Sequence, residues 1–246
     1  MRTVREIPAT QPEFMDDPEC SVHDLRGNLR DLERLNRLLG GHAAVRRYLD
    51  RVLPVWQKRG SAGSSTLAVL DVGTGGGDVP AAVVEWGRRR QVPVRVVGVD
   101  RHSTVARIAR ERAAAHPAVS VILADATALP FRDASFDVCL CNLTLHHMAR
   151  DHGIALLRRL HRLARVGFLA VDLIRCPGGY GGAWLITRLS RNRLTRHDGP
   201  LSIRRALSWP EYRRFAADAS IPGMRVSRLP LFRIAFSRIG LAADPC

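Results

Sequence analysis

Lysine is almost absent from this 246-residue chain, since Lys58 is the only lysine among 38 basic residues. The formal net charge of +15 is therefore carried almost entirely by arginine. A charge of this size alone would suggest a nucleic acid or an anionic membrane as partner. The arginines, however, are scattered, cluster only at 88–90 and around 188–196, and are not interleaved with aromatic residues that could stack on bases. The scatter favours solvated helix faces, with an RNA-binding surface as the alternative.

Cysteine and long apolar runs are also scarce. Only Cys139 and Cys141 of the five cysteines are close in sequence, and no second pair completes a zinc site. We expect reduced core cysteines and no metal, with a catalytic thiol as the alternative. No apolar run reaches the roughly 20 residues of a membrane-spanning helix, and the first residues lack a signal-peptide core. These features predict a cytoplasmic protein without a membrane span, and they leave its oligomeric state open.

Glycine is concentrated in one turn. Residues 69–78 have the sequence VLDVGTGGGD, an apolar run that ends in an acid and is followed by four glycines and a second acid. The run is typical of a strand buried on both faces of a parallel sheet. The glycines allow positive φ and close approach of a ligand, and a helix that begins after them presents unpaired N–H groups. The pattern predicts a ligand site here, although a merely flexible loop is the alternative.

The second acid of this turn distinguishes between ligands. A dinucleotide-binding loop of the form GxGxxG would place its third glycine where this chain has Asp78. An acid there repels phosphate and suits a cationic or hydroxyl-bearing group. The turn resembles the first motif of the class I S-adenosylmethionine-dependent methyltransferases, acid-x-Gly-x-Gly-x-Gly. The resemblance implies S-adenosylmethionine as cofactor and the following contacts in this turn: Asp71, Gly73, Thr74, Gly75, Gly77 and Asp78.

Acids also follow the next two predicted strands. The strand Val94–Val99 ends at Asp100, at the spacing where an acid binds ribose hydroxyls, with capping of the next helix as the alternative. The strand Ser120–Leu123 is followed by Asp125, whose carboxylate can accept from an adenine amine, as it does in many of the resembled methyltransferases. A helix N-cap is again the alternative. The resemblance adds two neighbouring residues to the expected cofactor contacts: Arg101 and Ala126.

The fourth predicted strand, Phe136–Asn142, leads into the sequence LTLHH. Its Phe-Asp start and Leu-His-His finish resemble the methyltransferases of ubiquinone and menaquinone biosynthesis. By that resemblance, the backbone of Asn142 and Leu143 faces the methionine end of the cofactor, and the next side chains face the methyl acceptor. His146 and His147 are then placed to remove a proton from a phenol, an enol or an activated carbon. A purely structural role is the alternative for either histidine, and the pattern does not tell them apart.

The order of elements predicts an α/β fold with a doubly wound, mostly parallel seven-stranded sheet, the Rossmann-like methyltransferase fold. We expect a flexible arm over residues 1–20, an N-terminal helical cap over 21–60, and the methyltransferase domain over 61–246. The second cap helix is predicted to stop at Pro54. Residues 174–207 are predicted as a substrate-side insert, in which a glycine-rich hinge precedes a short basic helix over 183–194.

The resemblance spans about residues 66–240 and implies methyl transfer from S-adenosylmethionine to a hydrophobic small molecule. A phenol, a quinone or a polyketide-like product, methylated on oxygen or carbon, is the expected acceptor. An RNA methyltransferase is one alternative, and a cofactor-binding fold without methyl transfer is the other. Displacement at the sulfonium methyl depends mainly on alignment of the acceptor and exclusion of water, so a catalytic base is not compulsory.

Overall fold

A seven-stranded sheet in the order β3-β2-β1-β4-β5-β7-β6 organises the fold in the computed structural model, which describes residues 13–17, 19–59 and 66–240. The strands are β1 (Leu67–Val72), β2 (Val94–Asp100), β3 (Val119–Leu123), β4 (Phe136–Asn142), β5 (Ala164–Leu173), β6 (Arg225–Leu229) and β7 (Arg233–Ile239). Strands β1 to β5 are parallel, whereas β7 is antiparallel to both of its neighbours. The predicted doubly wound, mostly parallel seven-stranded sheet is confirmed.

Helices cover both faces of this sheet. Those in the described part of the chain are α1 (Val22–Leu38), α2 (Gly41–Arg59), α3 (Asp78–Arg90), α4 (Ser103–Ala113), α5 (Arg150–Leu163), α6 (Pro177–Thr187), α7 (Arg193–Arg205) and α8 (Trp209–Ala219). None of these helices is long and apolar enough to cross a membrane.

Alternate residues of the central strands fill two hydrophobic cores. On β4, Cys139 and Cys141 belong to the core shared with α5 and α8, whereas Val138 and Leu140 belong to the core shared with α2 and α3. Both cysteines are free, and burial raises the pKa of their thiols. A reactive cysteine needs the opposite shift, so these two are core residues.

Helix α2 differs from its prediction in length and in location. It continues through Pro54 to Arg59. Val45, Leu49 and Val52 lie in one core with β1 and β4, and this packing outweighs the cost of about 3 kcal/mol for a proline inside a helix. Helix α2 is therefore a layer on the sheet, and α1 is the part of the predicted cap that lines the ligand cavity.

The predicted insert is a pair of helices. Helix α6 begins at Pro177, inside the predicted glycine-rich hinge, and Cys176 Sγ accepts the N–H of Gly179 at its start. Helix α7 covers residues 193–205, and Asn192 caps it. The predicted basic helix over 183–194 is therefore wrong, because α6 ends at Thr187 and α7 begins at Arg193. The two helices pack along each other, so tertiary contacts stabilise a segment whose glycines disfavour a helix locally.

The N-terminal segment is docked where it is described. We call residues 13–17 the strap, and Phe14–Asp16 within it form a single 3-10 turn. Asp198 accepts the backbone N–H groups of Phe14 at 2.9 Å and Met15 at 3.1 Å, and the Phe14 ring stacks on His197. The strap therefore differs from the predicted flexible arm, because its partners lie more than 180 positions away in sequence. Residues 1–12 and 18 lie outside the described residues.

Candidate active site

A cavity of about 630 Å³ lies at the carboxyl ends of the parallel strands. Open α/β sheets bind their ligands at this edge, and the volume is typical of small-molecule sites, which span roughly 300–1,000 Å³. Most of the predicted site residues line it: Gly73, Thr74, Gly75, Asp78, Asp100, Arg101, Asp125, Ala126, Asn142, Leu143, His146 and His147. The fold therefore brings together the ends of four strands that are far apart in sequence.

Asp71 and Gly77, by contrast, are not among the residues that line the cavity. Asp71 lies beneath the glycine loop, where its side chain is buried and makes no hydrogen bond of good geometry with a described residue. Burial raises the pKa of Asp71 to about 8, so the acid is mostly protonated at neutral pH. Gly77 has φ 76°, and a Cβ there would contact Ala109 and Arg112 of α4. Both residues shape the loop, and their contact with the cofactor stays a prediction.

Replacing Asp71 by asparagine is expected to stabilise the fold increasingly as pH rises from about 4 to about 8. An unfolded aspartate titrates near pH 3.9, whereas the folded Asp71 keeps its proton up to a pKa of about 8. The aspartate therefore costs stability across that window, and asparagine does not titrate. Chemical denaturation of both proteins near pH 5 and near pH 8 measures the difference. A gap in unfolding free energy that is the same at both pH values would contradict a buried, protonated Asp71.

Asp100 holds the glycine loop in place. At Gly73, the first glycine of the loop, there is no space for a side chain. Gly73 has φ 73°, and a Cβ on it would lie 2.1 Å from Thr144 Oγ1. Asp100 Oδ2 accepts the N–H of Gly75 at 2.9 Å, and its Oδ1 accepts the N–H of His102 at 3.0 Å. Asp100 thus fixes the loop and also borders the cavity. The alternative that Asp100 caps the next helix is wrong, because the side chain of His102 caps α4.

One side-chain oxygen that borders the cavity is buried without a partner among the described residues. It is Asn142 Oδ1. Buried acceptors of this kind cost free energy unless a donor reaches them. The N–H of Leu143 is already donated to the carbonyl of Val171 at 2.8 Å. The site therefore fits a ligand that carries ammonium, hydroxyl or amine donors, as S-adenosylmethionine does.

Asp78 is engaged by protein groups. Its Oδ2 accepts from Asn36 Nδ2 at 2.8 Å and lies 2.7 Å from His42 Nε2. Burial by itself raises the pKa of Asp78, but the hydrogen bonds from His42 and Asn36 outweigh it and lower the pKa. The carboxylate thus joins α1 and α2 to the glycine loop, in addition to facing the cavity.

The two histidines have different surroundings, and His146 is paired with a buried acid. His146 Nδ1 lies 2.6 Å from Asp172 Oδ1, and the backbone N–H of His146 donates to Asp172 Oδ2 at 3.0 Å. Burial alone raises the pKa of Asp172, but the charge and hydrogen bond of His146 outweigh it and lower the pKa. In the neutral ring, the hydrogen bond to Asp172 assigns the proton to Nδ1, and Nε2, 3.9 Å from Glu13 Oε1, then carries the lone pair.

His147 belongs instead to the charge network of the strap. Its Nε2 lies 3.9 Å from Glu13 Oε2, and its Nδ1 lies 3.7 Å from Asp16 Oδ2. Burial alone lowers the pKa of His147, but these two carboxylates outweigh it and raise the pKa. Arg205 Nη1 is 3.4 Å from Glu13 Oε1, and the Ser202 hydroxyl donates to the same oxygen at 2.7 Å. The acids of the strap therefore face cations from two elements.

Glu13, His146 and His147 could also hold a metal ion, since one ligand atom from each lies within 4.8 Å of the others. The sequence predicts no metal. Ser202 and Arg205 already contact the Glu13 carboxylate, and the cation of Arg205 balances its charge. This network satisfies the carboxylate without a metal.

Glu13, Asp172 and Arg233 are among the residues of the site that had no prediction from sequence. No sequence motif around Glu13 indicates that it belongs to the site. Asp172 is an acid at the end of an apolar strand, the same pattern that marked Asp100, and could have been found in that way. Arg233 is buried beside the cavity with Nη1 3.4 Å from Asn36 Oδ1, and burial lowers its pKa to about 10.

Comparison with known proteins identifies the domain. Residues 69–167 match the methyltransferase domain family. A segment of 115 residues is 35% identical to an uncharacterized methyltransferase of Mycolicibacterium gilvum, and it covers 46% of this chain and 42% of that protein. This region is a class I S-adenosylmethionine-dependent methyltransferase domain. The matched segment spans less than half of the relative, so the activity of the whole chain is a separate question.

Solved structures share the fold of this methyltransferase domain. An S-adenosylmethionine-dependent methyltransferase from Aquifex aeolicus superposes with a TM-score of 0.56 at 19% identity, over 90% of this chain and 97% of that one. Human N-acetylserotonin methyltransferase, in complex with S-adenosylmethionine, gives a TM-score of 0.62 at 14% identity, over 96% and 61% of the two chains. At these identities the likeness shows the fold. The predicted class I resemblance is confirmed, and the narrower one to the quinone-pathway enzymes stays a prediction.

Proposed function

We propose that this chain transfers a methyl group from S-adenosylmethionine to an acidic hydroxyl group of an apolar small molecule, with His146 as the general base. A phenol or an enol is the acceptor class that this chemistry fits, and methylation of an activated carbon would use the same base. The observation that carries the proposal is the buried His146–Asp172 pair, 2.6 Å apart, on the cavity that the glycine loop borders.

The cofactor is assigned to the polar half of the cavity. S-adenosylmethionine supplies an activated methyl group on a sulfonium leaving group. We assign its ribose hydroxyls to Asp100, its ammonium group to Asn142 Oδ1 and its adenine amine to Asp125. Asp125 Oδ1 accepts from the N–H and the hydroxyl of Thr127, both at 2.7 Å, so Oδ2 is the oxygen proposed for adenine. Each donor of the ligand then meets an acceptor.

The other half of the cavity is apolar and is assigned to the methyl acceptor. Its walls come from α1, α6, α7 and the β6–β7 turn: Leu29, Leu32, Leu35, Leu39, Ala183, Ile186, Ile203 and Phe232. Such walls bind an apolar ring and keep water away from the reacting atoms. An RNA substrate needs a basic groove instead, so the lining supports the small-molecule acceptor.

The two histidines receive different roles. His146 Nε2 accepts the proton of the acceptor hydroxyl, while Asp172 holds the opposite N–H and stabilises the imidazolium that forms. His147 is a poorer candidate, because the neighbouring carboxylates raise its pKa and so favour the protonated ring, which cannot accept a proton. We therefore assign His147 to fixing the strap over the site, and Asp172 to positioning His146.

Incubation of the purified chain with methyl-labelled S-adenosylmethionine and a cell extract tests the function. Label in an organic-soluble metabolite is the expected result, whereas label in RNA would establish the nucleic-acid alternative. If no fraction is labelled but S-adenosylhomocysteine still raises the melting temperature, the chain binds the cofactor without methyl transfer. An affinity for bulk RNA that persists as salt is raised would independently favour the RNA alternative.

A further inference from the structure

Helix α6 contains no charged residue and is apolar on two opposite faces. One face lines the cavity with residues at helical spacing: Gly179, Gly182, Ala183 and Ile186. On the other face Trp184 and Leu185 are 45% and 65% exposed, and Leu189 just beyond the helix is 82% exposed. A surface helix normally turns a polar face to water, and contiguous exposed apolar residues mark an interaction surface.

The turn between β6 and β7 extends this surface. Leu231 and Phe232 are 52% and 45% exposed, and both have φ 59°. Left-handed backbone is unfavourable for such side chains, and strain of this kind is found where function requires it. The Phe232 ring packs against α6, since a Cβ on Gly178 would lie 2.9 Å from it. We call the five residues of this surface the apolar rim: Trp184, Leu185, Leu189, Leu231 and Phe232.

The apolar rim lies at the mouth of the cavity. Its two turn residues, Leu231 and Phe232, are exposed and also line the cavity. Trp184 and Leu185 are on the helix whose inner face forms the cavity wall, and Leu189 lies just beyond the end of that helix. Whatever covers the rim therefore also faces the entrance for the methyl acceptor.

Unbalanced positive charge accompanies the rim. Residues 174–207 contain seven arginines and one acid, Asp198, which is buried beneath the strap. Arg188, Arg191 and Arg196 are exposed, and none of them pairs with a carboxylate among the described residues. The Arg188 guanidinium lies 4.9 Å from the ring centroid of Trp184, so cation and apolar surface are directly adjacent.

We propose that the apolar rim docks on a bilayer surface that carries anionic phospholipid headgroups. The apolar side chains enter the interface and the arginines contact the phosphates, the arrangement that holds peripheral proteins on membranes. A second copy of this chain is a poorer occupant, because its own arginines would be brought against these. The docking goes beyond the proposed function, because it concerns the outer surface of the protein. Vesicle binding can be measured without any methyl transfer.

Co-sedimentation with vesicles tests the docking. One set of vesicles contains phosphatidylcholine alone, and the other contains phosphatidylcholine mixed with phosphatidylglycerol. The wild-type chain is expected to bind the mixed vesicles, and more tightly as the anionic fraction increases. The double variant Leu185→Ser, Leu189→Ser is expected to lose at least tenfold in partitioning, while its affinity for S-adenosylhomocysteine, a measure of the intact fold, stays unchanged.

Two arginine variants show whether vesicle binding depends on the positive charge near the apolar rim or on the net charge of the whole protein. The triple change Arg188→Gln, Arg191→Gln and Arg196→Gln is expected to weaken binding to the mixed vesicles. The matched control replaces Arg88–Arg90 by glutamine, which removes the same charge from the last turn of α3, at the opposite edge of the sheet. This control is expected to keep most of the binding.

Three results would overturn the docking proposal. The first is equal weakening by both arginine variants, since a general charge effect would then explain the binding. The second is unchanged partitioning of the double leucine variant. The third is absence of vesicle binding together with dimerisation that the leucine changes abolish, because it would assign the rim to a second copy of the chain.

Discussion

Replacing His146 by alanine is expected to lower kcat for methyl transfer by about two to four orders of magnitude, the usual contribution of a general base. The affinity for S-adenosylhomocysteine should stay unchanged, because His146 is assigned to the acceptor half of the cavity. Turnover measured with the acceptor found in the labelling experiment, and calorimetry with S-adenosylhomocysteine, separate the two effects. The expectation depends on Asp172, whose carboxylate fixes Nδ1 of this histidine at 2.6 Å.

Two further measurements separate a base from a merely structural histidine. Added imidazole should partly restore turnover of the His146→Ala variant. The substitution should reduce turnover least for a phenol that is already ionised at the assay pH, because that acceptor needs no base. His147→Gln is the matched control, since it changes the adjacent ring without removing the proposed base, and its kcat should fall far less. Wild-type turnover of His146→Ala, or equal losses in both variants, would remove His146 as base.

Replacing Asp100 by alanine is expected to weaken binding of S-adenosylhomocysteine by about 10- to 150-fold. A hydrogen bond to a charged group contributes about 1.5–3 kcal/mol, and the carboxylate of Asp100 is proposed to accept from the ribose. The variant also loses the hydrogen bond from the N–H of Gly75, which is 2.9 Å long in the wild type. The glycine loop is then less ordered, which weakens ligand binding further. Calorimetry gives the dissociation constant directly.

Asp137→Ala is the matched control for this change. Asp137 Oδ2 also accepts a backbone N–H, that of Ala68 at 2.9 Å, but it lies at the opposite edge of the sheet from the cavity. Its replacement should affect the melting temperature more than the affinity for the ligand. If Asp100→Ala binds S-adenosylhomocysteine as tightly as the wild type, the proposed placement of the ribose is wrong.

Buried strands were the most predictable part of this fold. β4 has the predicted bounds, Phe136–Asn142, and β1 contains the apolar run that was predicted as a strand before the glycines. Helices with internal proline or glycine were predicted poorly. Pro54 and the glycines of α6 disfavour a helix locally, but packing against the sheet or against α7 decides their conformation. A local pattern carries no information about such partners.

The same limit applies to the site. Asp100 and Asn142 could be predicted because the ends of parallel strands necessarily meet at one edge. Asp71 belongs to the same motif, yet the register of β1 turns its side chain away from the cavity and buries it. The difference between His146 and His147 depends on Asp172 and Asp16, which lie on separate elements of the chain.

By itself, the sequence determined the parallel sheet, the glycine loop and the set of strand ends that form the polar half of the cavity. These depend on local periodicity, on glycine conformation and on the order of elements along the chain. The tertiary structure alone decided which histidine is paired with a buried acid, how the strap is held, and that α6 exposes an apolar face beside arginines that pair with no carboxylate in the described part of the chain. Those features depend on contacts between distant segments, since burial and pairing, and not residue type, set the chemistry of a side chain.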